Sequence, residues 1–220
     1  MIDQKNLIKT KFETKFFRNP CFFEYYRDEL LPNLKGRKRI RILSVGCSIG
    51  KEAYSIYLIN EREGLQAIVE GMDKNQEALE IARTGEFELN PSEWKDEEIS
   101  LNEFEELVEE HYDSEREIPS KVKINANINF YLFDLFEEKL PREFYDMIVC
   151  FNVITDSQGF CYPENKKKMA VDKLYDGLKK GGYLFLDHNR DNSPIWVKRE
   201  EIGYEITKDS KYFRLIRKQD

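Results

Sequence analysis

Apolar positions along the chain fall into two alternating rhythms. Arg41-Ile42-Leu43-Ser44-Val45-Gly46 is a short apolar run that stops at a glycine, and Lys51 to Arg62 follows with Ala53, Ile56, Tyr57 and Asn60 at helical spacing. That is strand, turn, helix. The unit recurs at once: Ala67 to Met72 reads as a strand, Asn75 as the N-cap of a helix, and Gly85 as that helix's stop. Further apolar runs at Ile128 to Phe133, Met147 to Phe151 and Tyr183 to Leu186 predict three more strands. A helix over Lys166 to Lys179, closed by Gly181-Gly182, stands between the last two.

Strands that alternate with helices are most economically buried as a parallel sheet covered on both faces. The expected fold is therefore α/β and Rossmann-like. The tail differs. Tyr204 to Thr207 and Tyr212 to Ile216 alternate polar and apolar residues around Asp209-Ser210, which predicts a terminal antiparallel hairpin. The segment up to Leu34, broken by Pro32-Asn33 and Gly36, reads as a helical lead-in, so we divide the chain into a lead-in over 1–36 and a core domain over 37–220. The acidic stretch from Pro91 to Glu117 reads as a solvated helix face.

Composition narrows the function classes. With 35% charged residues, 40% hydrophobic residues and 15 Phe, the 220-residue chain has enough apolar material for one core. Its net charge of −7 lacks the basic excess that nucleic-acid phosphates demand, despite the local run Lys35-Gly36-Arg37-Lys38-Arg39. Cys21, Cys47, Cys150 and Cys161 form no C-x-x-C pair, and His111 and His188 sit in no ligand spacing, so neither a metal site nor a disulfide framework is expected. No stretch has the length of a signal-peptide core or membrane span, which fits a cytoplasmic protein.

In open α/β sheets ligands gather beyond the carboxyl ends of the strands, so the residues ending each strand are the candidates. The first strand runs into Gly46-Cys47-Ser48-Ile49-Gly50, a glycine turn before a helix N-terminus. It is neither G-x-G-x-x-G, which needs a glycine at position 48, nor a P-loop, which needs Ser or Thr where Glu52 follows Lys51. Asp73, after the second strand, can accept two hydrogen bonds from a ribose diol. Asp134, ending the third strand before Leu135, can either accept from an adenine amino group or cap a turn.

With these residues in hand the chain resembles the CheR-type methyltransferases. Thr14-Lys15-Phe16-Phe17-Arg18-Asn19-Pro20 is similar to the family's T-x-F-F-R-x-P, and Ser44 to Ile56 to its S-x-G-C-S-T-G-E-E-P-Y-S-I. Leu79 to Phe87 resembles L-x-x-A-R-x-G-x-Y, Asn129 to Leu135 V-x-F-x-x-x-N-L, and Tyr145 to Val153 F-D-x-I-x-C-R-N-V. The resemblance spans about residues 10 to 190 in the family's order, without the helical N-terminal domain common there. It implies a seven-stranded class I core, S-adenosylmethionine as donor, and a small β excursion near Lys121 to Ile124. It implies protein glutamates of chemoreceptors as acceptors, with cofactor contacts at Gly46, Cys47, Gly50, Lys51, Asp73, Asp134, Leu135 and Asn152.

Methyl transfer from a sulfonium is an in-line displacement for which the protein supplies alignment and desolvation. An ionised acceptor carboxylate requires an anchor rather than a base. Arg18, with its bidentate fork, is the candidate, its plainer role being a surface ion pair. Three positions depart from the family: Lys51 for the first glutamate of G-E-E, Phe151 for the arginine of R-N-V, and Asp156 for a tyrosine beside the reacting groups. Lys51 either meets the carboxylate of the donor's methionine part or turns outward to solvent. Asp156 would repel a carboxylate but accept a proton from an amine or hydroxyl, so a changed acceptor is one alternative and a noncatalytic cofactor-binding module another.

Overall fold

Residues 14–95, 99–112, 117–154, 162–187, 206–209 and 213–219 are described by the computed structural model. Helix α1 (Pro20–Tyr25) passes through a π-helical turn, Tyr26–Leu30, into α2 (Leu31–Leu34). Then come β1 (Ile40–Val45), α3 (Lys51–Arg62), β2 (Ala67–Asp73) and α4 (Gln76–Thr84). The short elements β3 (Glu86–Glu88), α5 (Pro91–Lys95), a 3-10 helix over Leu101–Leu107, β4 (Glu109–His111) and β5 (Lys121–Lys123) follow. The chain finishes with β6 (Asn129–Leu132), β7 (Tyr145–Cys150), α6 (Glu164–Gly177), β8 (Leu178–Asp187), β9 (Ile206–Asp209) and β10 (Phe213–Arg217).

The main sheet has seven strands in the order β6-β2-β1-β7-β8-β10-β9. From β6 to β8 all neighbours are parallel, and β10 runs antiparallel to both β8 and β9. The expected Rossmann-like α/β sheet and terminal hairpin are therefore present. Side chains split between the two faces with period two: Ile40 and Ile42 pack with Met147 and Val149, while Leu43 and Val45 pack with Ile148 and Cys150. The first face meets α1 to α4, and the second meets α6 through Ala170, Val171 and Leu174.

The chain winds outward from β1 through β2 to β6, then returns to the other side of β1 with β7 and β8. The order reverses between β1 and β7, so the loops after Val45 and Cys150 open a crevice there. Local chemistry sets the ends of α4 as its sequence predicts. Asn75 accepts the N–H of Ala78 at 3.3 Å, and Gly85, at φ +67°, takes the left-handed C-cap.

Two expectations are corrected. The acidic stretch after Pro91 keeps Glu105, Glu106 and Glu109 at the surface as expected, but it is not a solvated face throughout: Glu93, Trp94, Ile99, Leu101 and Phe104 are buried, because its minority of apolar residues packs beneath the N-terminal segment, Phe104 stacking on Phe17 at 5.2 Å. Helix α6 ends at Gly177, four residues ahead of the expected Gly181-Gly182 stop. Strand β8 begins immediately, and the extra residues Lys179 to Gly182 are absorbed where its register against β7 shifts between Tyr145 and Met147. Gly182 suits this tight passage, since a Cβ there would lie 2.8 Å from the Lys179 carbonyl oxygen. The expected β excursion is a three-stranded antiparallel sheet, β3-β5-β4.

Candidate functional site

A cavity of about 280 Å³ opens at the point where the strand order reverses. One wall is the turn after β1. Gly46 holds φ +69° and donates its N–H to the Met72 carbonyl at 2.7 Å, and a Cβ there would fall 2.1 Å from a Val153 methyl. Cys47, Ser48 and Glu52 line the same wall, with the Ser44 hydroxyl donating to Glu52 Oε1 at 2.7 Å.

Asp73 closes that wall against β2. Its Oδ2 accepts the Ser48 N–H at 2.7 Å and its Oδ1 accepts the Asn75 N–H at 2.8 Å. Each oxygen has two lone pairs, so each retains one direction for a ligand hydroxyl. Burial, with the Asp73 and Glu52 carboxylates nearby, pushes the Cys47 thiol well above its ordinary range, and it stays a neutral thiol rather than a nucleophile.

The opposite walls come from the loop after β6 and the N-terminal segment. Phe133, Asp134, Leu135 and Phe136 line the cavity, with Tyr162 against Phe136 at a ring separation of 4.2 Å. Asp134 Oδ1 accepts the Phe136 N–H at 2.9 Å, so this side chain does cap its turn while facing the cavity. Lys173 donates to the carbonyls of Leu135 and Phe136, each at 2.8 Å, and fixes that loop onto α6. From the N-terminal segment Thr14, Lys15, Arg18, Asn19 and Phe23 reach the cavity, leaving Phe16 and Phe17 buried behind them.

Of the residues singled out in the sequence, Arg18, Gly46, Cys47, Asp73, Asp134, Leu135 and Asn152 line this one cavity. Asn152 stands at φ +58° on the turn after β7. Gly50 and Lys51 are not lining residues. Gly50, at φ +91°, is the left-handed N-cap of α3, packed where a Cβ would sit 3.0 Å from Ala82 and Phe130. Asp156 and His188 lie outside the described residues, and His111 is exposed on β4.

Lys51 does not follow the outward reading, and it is not on the cavity's lining either. The residue is only 4% exposed, so it does not turn outward, and its ammonium lies 2.6 Å from Glu93 Oε1, away from the cavity. Helical geometry explains the exchange, because successive residues of the first turn of α3 point about 100° apart. Glu52, next in sequence, presents the acid to the cavity. Sequence reasoning did not single out Glu52, Lys15 or Phe136 as site residues, although Glu52 was available as the second acid position of the G-E-E motif. Phe151 lines the cavity edge-on to Phe22 at 5.1 Å, within the aromatic packing of α1 and β8.

Comparison with known proteins places these features in context. Residues 12–199 match the family described as the SAM-binding domain of CheR methyltransferase. The chain is 29% identical over 177 residues to a chemotaxis protein methyltransferase of Listeria monocytogenes, covering 79% of this chain and 63% of the relative. It is 27% identical over 196 residues to chemotaxis protein methyltransferase 1 of Pseudomonas aeruginosa, covering 79% and 64%. The chain thus spans a little under two thirds of the length of these relatives. Among solved structures, a SAM-dependent methyltransferase of Leishmania major superposes with a TM-score of 0.53 at 16% identity, over 90% of this chain and 72% of the other, a likeness of fold.

Proposed function

Because the chain belongs to the CheR methyltransferase family, we propose that it transfers the methyl group of S-adenosylmethionine to a side-chain carboxylate of a protein, with receptor glutamates as the acceptor class. The observation that carries this reading is the gathering of acids and cations around one cavity at the carboxyl ends of the strands. Asp73 and Glu52 stand on the β1–β2 side, where Lys74 also lies, Asp134 stands on the loop after β6, and Lys15 and Arg18 stand on the N-terminal segment.

The lining fits the donor. A nucleoside needs an acceptor pair for its ribose, and Asp73 keeps a lone-pair direction on each oxygen for it. A methionine ammonium needs an acid, which Glu52 offers, and the glycine turn at Gly46 brings backbone close to the ligand. Asp134 and Leu135 line the side where an adenine would lie. When bound, S-adenosylmethionine supplies a methyl group on a sulfonium, already activated for displacement.

The chain's own residues then have three tasks. Asp73, Glu52 and the Gly46 turn hold and orient the donor. Phe23, Phe133, Phe136 and Phe151 exclude water from the reacting pair. Arg18 anchors the acceptor carboxylate, which is ionised at neutral pH and so needs no base. Lys15 adds positive potential that draws an acidic segment toward the same wall.

Calorimetry with S-adenosylhomocysteine, followed by methyl transfer from labelled donor to chemoreceptor cytoplasmic domains, tests the proposal. Base-labile label on receptor glutamates is the expected result. Donor binding with base-stable label would mean an amine or hydroxyl acceptor, and binding without transfer a noncatalytic module. Failure to bind S-adenosylhomocysteine would overturn the cofactor assignment itself.

A further inference from the structure

Beneath the cavity lies a charge pair that the transfer reaction does not use. Glu93 is 1% exposed and its two oxygens are shared among three donors. Oε1 accepts from Lys51 Nζ at 2.6 Å and from the Phe16 N–H at 3.0 Å, and Oε2 accepts the Asn90 N–H at 3.0 Å. Lys51 Nζ also reaches the Glu88 carbonyl at 3.4 Å and stands 5.2 Å from the centre of the Phe16 ring. One residue on, the Phe17 N–H donates to Ser55 Oγ at 3.0 Å, and Ser55 Oγ donates to the Lys51 carbonyl at 2.8 Å.

The N-terminal segment is therefore held by backbone hydrogen bonds at Phe16, to Glu93 of α5, and at Phe17, to Ser55 of α3, and Lys51 at the start of α3 touches both acceptors. Thr14 and Lys15 on one side of this anchor and Arg18 and Asn19 on the other line the cavity. Phe17 sits at φ 48°, a left-handed conformation that a bulky residue adopts only when its surroundings impose it. A buried ion pair is weak ground for stability, since apolar replacements of similar volume are often neutral or stabilising. It is better ground for a role in fixing one geometry.

We propose that Lys51 and Glu93 are positioning residues. By holding the Phe16 amide they fix where Lys15 and Arg18 stand over the cavity, and their loss opens that wall before it unfolds the protein. The lysine at 51 belongs to this anchor rather than to the cofactor's binding set.

The test is the double variant Lys51→Met/Glu93→Leu, which removes both charges and both amide acceptors without leaving one ion unpaired. Amide hydrogen exchange should quicken about tenfold or more at Phe16 and Asn90, with Ile148 in β7 unchanged, as expected for local opening rather than global unfolding. Affinity for S-adenosylhomocysteine should fall about fivefold or more, because the whole wall, Thr14, Asn19 and Phe23 together with Lys15 and Arg18, loosens around the cavity rather than one side chain being lost from it. Should the apolar pair fail to fold, Lys51→Met/Glu93→Gln keeps an amide oxygen at position 93 and carries the same test with a threshold of about threefold.

Unchanged exchange at Phe16, exchange rising in step at Ile148, or a loosened Phe16 with unaltered affinity would each overturn the proposal. Only the choice of S-adenosylhomocysteine as probe rests on the proposed function. If the parent protein does not bind it, that reading fails, and the exchange rates alone decide whether the anchor exists.

Discussion

The carboxylate of Asp73 accepts the backbone N–H of Ser48 at 2.7 Å, so one side chain both faces the cavity and fastens the turn after β1 to the end of β2. Replacing Asp73 therefore has two consequences, one for the ligand and one for the loop that shapes its site. Asp73→Ala should weaken S-adenosylhomocysteine binding by about 1–3 kcal/mol and also lower the melting temperature, because the Ser48 and Asn75 amides lose their acceptor. Asp73→Asn, which keeps one amide oxygen, should lose less stability. Calorimetry of binding and of unfolding on both variants separates the two effects, and equal binding by Asp73→Ala and parent would remove Asp73 from the ligand's contacts.

Arg18 is half-exposed at the cavity's N-terminal wall. On the proposed function, which gives Arg18 the acceptor carboxylate to hold, Arg18→Ala should abolish or severely slow methyl transfer to an acidic protein substrate while leaving S-adenosylhomocysteine affinity within about threefold. Its melting temperature should barely move, because partly exposed ion pairs contribute only about 0–1 kcal/mol. Labelled-donor assays beside calorimetry check this. Normal turnover with a large drop in stability would assign Arg18 to structure.

Gly46 cannot accept a side chain without movement. Gly46→Ala places a Cβ 2.1 Å from a Val153 methyl at φ +69°, a clash and a backbone strain together, and should cost about 1–3 kcal/mol for overpacking with further loss from the φ angle. The second change Val153→Ala should recover the clash but not the strain. Denaturant unfolding of the two variants reads the difference, and full recovery would mean that the left-handed angle carries no cost here.

Burial raises the ionisation of three tyrosines, Tyr54 to about 12 and Tyr26 and Tyr145 further still. An unfolded tyrosine ionises near 10, so the folded value lies above the unfolded one. The corresponding stability is fully present below pH 10 and drains away as pH rises toward and through 12 for Tyr54. Phenolate absorbance followed together with circular dichroism should show these residues ionising only as the fold is lost. Ionisation of all tyrosines near pH 10 in a folded protein would contradict their burial.

Much of this architecture was legible in the chain's own pattern. The β1 and β2 runs, the Asn75 cap and the Gly85 stop depend on residues within one or two turns of each other, and local periodicity reports such interactions directly. Strand-end positions were legible for the same reason: once the strands were placed, Gly46, Asp73 and Asp134 had to emerge at one edge of a parallel sheet. The end of α6 was not. The glycines at 181 and 182 read as a stop, whereas they serve a register shift against Tyr145 and Met147, which depends on a partner strand some 35 residues earlier.

What the sequence alone determined, then, is the order of elements, the parallel sheet and the edge at which a ligand meets it, because these follow from spacing and from rules of strand connection. What only the tertiary structure decided is the direction of individual side chains. Lys51 and Glu52 are adjacent in sequence, but the step of about 100° between neighbours on a helix sends the lysine to Glu93, 42 residues away, and leaves the acid beside Ser44 at the cavity. Glu93 itself lies in a stretch whose charge suggests solvent, and it is buried because Trp94, Ile99 and Phe104 around it pack under the N-terminal segment. A charged residue's partner is set by which surfaces come together in three dimensions, and nothing in the local pattern of charge encodes that meeting.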